Sequence, residues 1–264
     1  MKLLIQSDDY GMTRAVAKGI IHGIENGIIR NTGMFMNMPW TDECAEWIKP
    51  YLSKIALGID LNLTTGRPIS NPKEVPSLVN EHGNFYTSWE SRKMDIEENG
   101  FNHVNLDEVR NELDKHIQKY IRIFGKTPDY LHSHAYETKE ILQIHHELAK
   151  KYDIIYCSDI MENLTGKGIL DYRIGWYNKP PTLDNQANSS FKQYILNNSM
   201  ELLKNDYVFL IGHMGYVDKE LMNLSTYSLY RLNDLDAVVD REIIDWVREN
   251  KVELISYKDL SNNK

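Results

Sequence analysis

The sequence predicts an α/β fold, a distorted (β/α) barrel of about seven strands. Short apolar runs alternate along the chain with amphipathic stretches, the pattern of βα units. At 264 residues the chain has the length at which such barrels form one domain. No glycine-rich phosphate loop follows the first apolar run, which weakens the rival reading, an open doubly wound nucleotide-binding sheet. With 42% hydrophobic and 26% charged residues, the composition is that of a chain with a packed core.

The elements follow in order. Leu3 to Ser7 reads as the first strand, ending at Asp8-Asp9-Tyr10-Gly11. Thr13 can cap a helix through Val16, Ile20, Ile21 and Ile24, which Gly27 terminates. Strands are expected at Thr32 to Asn37 and Ile55 to Leu63, with a helix from about Asp42 to Leu52 between them. Residues 64–104 carry Gly66, Pro68, Pro72, Pro76 and Gly83 among polar residues and aromatics, and read as a loop insertion within one domain spanning 1–264. Leu106 to Phe124 has helical spacing (Leu106, Val109, Leu113, Ile117, Ile121) and stops at Gly125. A strand at Tyr130 to Ser133, a helix at Lys139 to Lys151 and a strand at Ile154 to Cys157 come next, then an irregular segment through Pro180-Pro181. A helix at Ser190 to Lys204, a strand at Tyr207 to Ile211, a helix at Leu235 to Glu249 and a strand at Val252 to Ser256 close the chain.

The net charge of -8, with no Lys/Arg block, disfavours a nucleic-acid partner. Cys44 and Cys157 are far apart, so they read as two buried thiols in a reducing cytoplasm rather than a disulfide scaffold or cysteine-rich zinc site. The apolar run at the start is too short for a signal peptide or a membrane span. A soluble cytoplasmic protein with no membrane partner is expected.

Active sites of parallel α/β folds assemble at the carboxyl ends of the strands. Polar clusters fall there: Asp8-Asp9 after the first strand, Asp60 and Asn62 in the third, His132-Ser133-His134 after Tyr130, and His213 after Tyr207 to Gly212. Adjacent carboxylates repel unless a cation or proton divides their roles, so Asp8-Asp9 suggests one metal ligand and one base; capping or turn roles are the alternative. Asp60 is costly to bury unpaired within an apolar run. His132 and His134 share one strand face, a geometry for two ligands or a ligand and its support. Together with Asp9 and Asp60 they point to a metal. His145-His146 reads as helix surface, and His22, His82, His103 and His116 as solvated. Glu137 and Glu140 read as first-turn residues of the following helix. No organic cofactor is expected.

These segments resemble, in the same order, those of the YdjC-like family of carbohydrate deacetylases, which includes the diacetylchitobiose deacetylases. Ser7-Asp8-Asp9-Tyr10-Gly11 is similar to its Asn-Ala-Asp-Asp-Phe-Gly opening. Leu57 to Thr64 with Gly66 and Pro68 is similar to its Gly-x-His-x-x-Leu-Thr-x-Gly-x-Pro strand. Pro128 to His134 is similar to its Pro-x-x-x-Asp-Ser-His segment, Gly212-His213 falls at its Cys-His-Pro, and Tyr230 to Asp236 is similar to its Arg-x-x-Glu stretch. The resemblance implies a deformed (β/α) barrel of the polysaccharide-deacetylase kind, often dimeric, that removes N-acetyl groups from small amino sugars or chito-oligosaccharides. Asp9 and His134 would be metal ligands, Asp8 the general base and His213 the acid that protonates the leaving amine. Asp60 stands where the family has its second histidine ligand, and His132 where it has an aspartate, so a carboxylate and an imidazole have traded places. Tyr136 and Thr138 replace later histidines, and Met214 replaces a proline. The resulting Asp9/Asp60/His134 set would hold a divalent ion, Mg²⁺, Mn²⁺ or Zn²⁺, its two carboxylates shifting preference from zinc toward Mg²⁺, Mn²⁺ or Fe²⁺. Aromatics in the 85–89 region, or Trp176 and Tyr177, could stack on sugar faces. The alternatives are a catalytically impaired sugar-binding or regulatory homologue of the same fold, a hydrolase of another bond such as a phosphoester, and a purely structural barrel.

Overall fold

The computed structural model describes residues 1–98, 102–164, 169–173 and 175–260; residues 99–101 of the expected insertion lie outside them. Its strands are β1 (Lys2–Tyr10), β2 (Asn31–Met34), β3 (Ala56–Leu61), β4 (Tyr130–Ser133), β5 (Ile155–Tyr156), β6 (Ile169–Arg173), β7 (Tyr207–Gly212) and β8 (Glu253–Ile255). The sheet runs β5-β4-β3-β2-β1-β7-β6, with β8 also on β1, and these pairings are parallel. β6 is an addition to the expected strands: its backbone pairs with β7 from Ile169↔Tyr207 to Arg173↔Ile211, a long-range contact that a short run containing Asp171 does not announce.

The barrel is distorted because β1 has three partners. β7 runs along one edge from Lys2 to Ser7, while the other edge takes β8 at Lys2 to Leu4 and β2 from Gln6 onward. Asn31 stitches this split. Its side-chain amide donates to the carbonyls of Ile5 (3.0 Å) and Ile255 (3.2 Å), and its oxygen accepts from the Tyr257 N–H (2.9 Å).

Helices follow the strands: α1 (Arg14–Asn26), α2 (Thr41–Ile48), α3 (Ser88–Glu97), α4 (Leu106–Phe124), α5 (Lys139–Tyr152), α6 (Cys157–Asn163), α7 (Leu183–Ala187), α8 (Phe191–Asn197), α9 (Ser199–Leu202), α10 (Lys219–Leu224), α11 (Leu229–Val239), α12 (Arg241–Glu249) and α13 (Tyr257–Leu260). Thr13 caps α1 through the Val16 N–H, and Gly125 ends α4 in the left-handed conformation. The helix expected at Ser190 to Lys204 is two, α8 and α9. The one expected at Leu235 to Glu249 begins earlier and breaks at Asp240, whose carboxylate caps α12 through the Glu242 N–H. The insertion contains α3, with Thr87 and Glu90 forming a capping box. It is anchored to α4, where Glu112 accepts from the N–H groups of Ile69 (2.6 Å) and Ser70 (2.9 Å).

Strand alternation divides the core into two layers. Leu3 and Ile5 of β1, Leu57 and Ile59 of β3, Leu131 of β4, and Val208 and Leu210 of β7 join the large cluster under the helices. Leu4, Ala56, Tyr130, Phe209, Ile255 and Tyr257 form a smaller cluster on the opposite, inner face. Continuing the inner parity upward brings Gln6 and Asp8, Gly58 and Asp60, and then His132 to the carboxyl ends of the strands. Gly58 is required there because a Cβ would collide with the Tyr130 ring. Cys44 and Cys157 are free and buried, as expected. No helix among the described residues is long and apolar enough to cross a membrane.

α1 packs against the segment after β7. A Cβ on Gly19 would lie 2.6 Å from Gly215 Cα and overlap the Tyr216 backbone, and backbone cannot swing aside as a side chain can. Gly19→Ala should therefore destabilise the protein by about 1–3 kcal/mol, read from the midpoint of urea unfolding at unchanged m-value; an unchanged midpoint would show that the segment yields freely.

Candidate active site

β1 ends in a left-handed turn at Asp9 (φ 72), unusual for a residue with a side chain. Alternation points Asp8 inward, and the turn carries Asp9 toward the loops after β4 and β7. Its backbone N–H donates to Asp60 Oδ2 at 2.7 Å. One Asp9 oxygen, Oδ2, receives the Arg231 guanidinium of α11 at 2.6 Å and stands 3.9 Å from His213 Nε2. The other, Oδ1, stands 3.0 Å from His134 Nδ1 but has no hydrogen bond of acceptable geometry. Burial acts to raise the Asp9 pKa, but His134 and Arg231 outweigh it and hold the carboxyl well below the usual range. Asp9 is an anion.

Asp8 has the opposite character. Gln6 Nε2 donates to its Oδ1 at 2.6 Å, and Tyr257 in turn donates to Gln6 at 2.7 Å. Burial, with Asp60 and Asp9 adding to it and His132 opposing, pushes the Asp8 carboxyl up to about 7. Asp60 is fully buried, in space left by Gly33, where a Cβ would fall inside the carboxylate. Asp60 and His132 are register partners on β3 and β4, and Asp60 Oδ1 lies 3.3 Å from His132 Nδ1. The two residues that trade places relative to the family motif therefore face each other. The ligand atoms of Asp8, Asp60 and His132 all lie within 4.8 Å of one another, the convergent set of this kind among the described residues; Asp9 and His134 form a contacting pair beside it.

His213 ends β7, and burial pushes its imidazole down to about 3, with Asp9 opposing. The Met214 N–H donates to Ser7 Oγ at 3.0 Å, a bond that a proline at this position could not make. Asp234 of α11 accepts from the His213 backbone N–H (3.0 Å), from Trp176 Nε1 (2.7 Å) and from the Tyr177 hydroxyl. Burial still pushes Asp234 up to about 7 against those donors.

A family model described as YdjC-like protein matches residues 2–249. The chain belongs to the YdjC-like family. The YdjC-like chain is 29% identical to a carbohydrate deacetylase of Clostridium beijerinckii, covering 98% of this chain and all of that one. It is 30% identical to carbohydrate deacetylase 2 of Listeria innocua, covering 98% and 99%. Among solved structures it is similar to an Enterococcus faecalis protein described as a candidate for cellobiose-phosphate cleavage (26% identity, TM-score 0.75, 98% of both chains). A peptidoglycan N-acetylglucosamine deacetylase shares the fold at 12% identity and TM-score 0.52, over 100% of this chain and 89% of that one. The curled parallel sheet is shared with that deacetylase.

Asp8, Asp9, Asp60, His134 and His213 thus come together around one mouth. Asn62 is a turn former instead, accepting from the N–H groups of Thr64 and Thr65 at 3.0 Å each. Trp176 is buried and stacked on Phe191 (4.1 Å, 15°), and Phe85 is buried, so neither offers a free face to a sugar. His116 and His145 are not solvated: both are fully buried, His116 beside Glu112 (3.1 Å) and His145 beside Tyr156 (3.2 Å), on the inward side of α4 and α5. His103 is largely buried too, against Asp95 at 2.8 Å. Glu137 precedes α5 and accepts from Tyr156 rather than joining its first turn. The residues that sequence reasoning missed are Arg231, Asp234 and Gln6; Tyr177, expected on a sugar face, is buried and stacked on Tyr230 instead. Arg231 and Asp234 are three apart on one helix face within a quoted motif, the one signal available for them.

Two predictions arise. Replacing Arg231 with Met removes the guanidinium from the buried Asp9 carboxylate and should cost about 3–5 kcal/mol in urea unfolding; a loss under about 1 kcal/mol would mean that other groups neutralise Asp9. The Asp8 carboxyl is raised in the folded state, so the folded protein holds its proton longer than the unfolded chain does. Its contribution is fully present below 3.8, the ordinary value for an aspartate, and is lost as pH rises to about 7. In chelator-treated protein, Asp8→Asn should flatten the decline of stability between those limits, checked by urea titrations across that range.

Proposed function

We propose that this chain is a metal-dependent deacetylase acting on small N-acetylated amino sugars or chito-oligosaccharides. The observation that carries the reading is the pair of adjacent aspartates held in opposite states: Asp9 anionic against His134 and Arg231, Asp8 pushed up to about 7. The names of the relatives support the same chemistry.

The donor set suits a divalent cation. Asp9 Oδ1 is buried, charged and without a hydrogen bond, and it faces His134 Nδ1 out of hydrogen-bond alignment, as two ligands of one ion would. Asp9 and His134 would hold the ion, with Asp60 completing the set. When bound, the ion would polarise the acetyl carbonyl and acidify the attacking water.

The chain's own groups do the rest. Asp8, poised near neutrality, takes the water's proton. The C–N bond breaks as His213 Nε2 gives a proton to the departing amine, leaving acetate and the free amino sugar. Burial keeps His213 neutral at rest, so the proton it delivers is the one that Asp8 takes from the water, drawn to Nε2 by Asp9 and by the negative charge that grows on the acetyl oxygen. A homodimer working in the cytoplasm belongs to this reading.

A second reading has its own observation. Asp8, Asp60 and His132 are the convergent donors, so the ion would sit one layer deeper and Asp8 would be a ligand rather than the base. Metal content of the purified variants separates the two: His134→Ala should lose the ion and His132→Ala retain it, and the reverse result would select the deeper set. Acetate release from N-acetylated chito-oligosaccharides should fall about 10²–10⁴-fold in Asp8→Asn. Release that is unchanged in that variant would reject Asp8 as the base, and none from the unmodified protein would reject the substrate class.

A further inference from the structure

We infer that Tyr177 is the positioning residue for His213: its phenol, anchored on Asp234, holds the imidazole through Nδ1 and leaves Nε2 as the atom that faces the reaction. The inference rests on the deacetylase reading for the reaction concerned, and on geometry alone for the tautomer.

Asp234 is fully buried, and both its oxygens receive donors that cannot accept in return. Oδ1 takes the Trp176 indole N–H at 2.7 Å and Oδ2 the His213 backbone N–H at 3.0 Å. The Tyr177 hydroxyl also donates to Oδ2. A phenol has one proton. With Asp234 ionised, that proton goes to its carboxylate, and the Tyr177 oxygen can then only accept at His213 Nδ1, 3.3 Å away. Nδ1 must then carry a hydrogen, and a neutral imidazole has none left for Nε2. The free Nε2 is the nitrogen that stands 3.9 Å from Asp9 Oδ2. Protonation at that atom gives an imidazolium whose second N–H points into the mouth, while Nδ1–H stays on Tyr177.

The phenol has little freedom to leave this position. Its ring is stacked on Tyr230 (4.0 Å, 3°), and Tyr227 packs edge-on against both Tyr177 (5.6 Å, 85°) and His213 (5.3 Å, 84°). Burial keeps the hydroxyl protonated by raising its pKa well above the ordinary value. One carboxylate thus fixes His213 twice, at its backbone directly and at its ring through Tyr177. A wrong tautomer in such an arrangement removes catalysis without moving the heavy atoms.

Tyr177→Phe keeps the stack and deletes the hydroxyl, so it tests positioning apart from packing. Long-range ¹H–¹⁵N spectra of the histidine rings, with His213 assigned from its disappearance in His213→Gln, should show the Nδ1–H form in the unmodified full-length protein. In Tyr177→Phe that signature should give way to a mixture with Nε2–H, with the thermal midpoint nearly retained. The kcat for acetate release should fall about tenfold with KM little changed. An Nε2–H tautomer in the unmodified protein, or the same tautomer in both proteins, would overturn the inference. The expected spectra without acetate release would uphold the positioning role and remove the proposed substrate.

Discussion

The turn at Asp9 is the constraint on which the mouth of the barrel depends. A left-handed aspartate at the end of a buried strand costs free energy, and the surrounding groups offset it by holding both its backbone and its side chain. Asp60 accepts the N–H, Arg231 covers one carboxylate oxygen, and His134 stands at the other. Alternation already points the two neighbouring aspartates to opposite sides, and the turn keeps Asp9 at the mouth beside Arg231 and His134 rather than under the helices. That is how one dipeptide yields both a firm anion and a carboxyl near neutrality.

The pairing of Asp60 with His132 supports the same turn. These residues occupy matched positions on neighbouring parallel strands, and a charge buried at one needs a partner at the other. An acid–imidazole pair satisfies that need in either order. Order matters above the pair, since a carboxylate on β3 reaches the Asp9 N–H. Gly33 on β2 supplies the room, because any side chain there would occupy the carboxylate's place.

Helix α11 ties the two halves of the mouth together. Arg231 reaches across to the end of β1, while Asp234, three residues on, holds the backbone of His213 at the end of β7. Placing both on one helix makes the separation of Asp9 and His213 a property of a rigid element rather than of loops. The split of the expected long helix at Asp240 leaves α11 free to lie in this position, with α12 continuing from its own cap.

The sequence by itself determined the strands that carry the chemistry and the polar residues at their carboxyl ends, because buried parallel strands are continuous apolar runs and any acid or imidazole at their ends stands out. α4 and β4 fall where their patterns place them. Tertiary structure alone decided which polar groups meet. Arg231 reaches Asp9 across 222 positions of sequence, and no local pattern records that pairing. Tyr177 lies within the irregular segment, and its partners come from β7 and α11. β6 becomes a strand only by pairing with β7, and His116 and His145 are buried because their helices turn those faces inward. Local spacing encodes which backbone groups are satisfied within an element; which side chains neutralise one another depends on how the sheet curls.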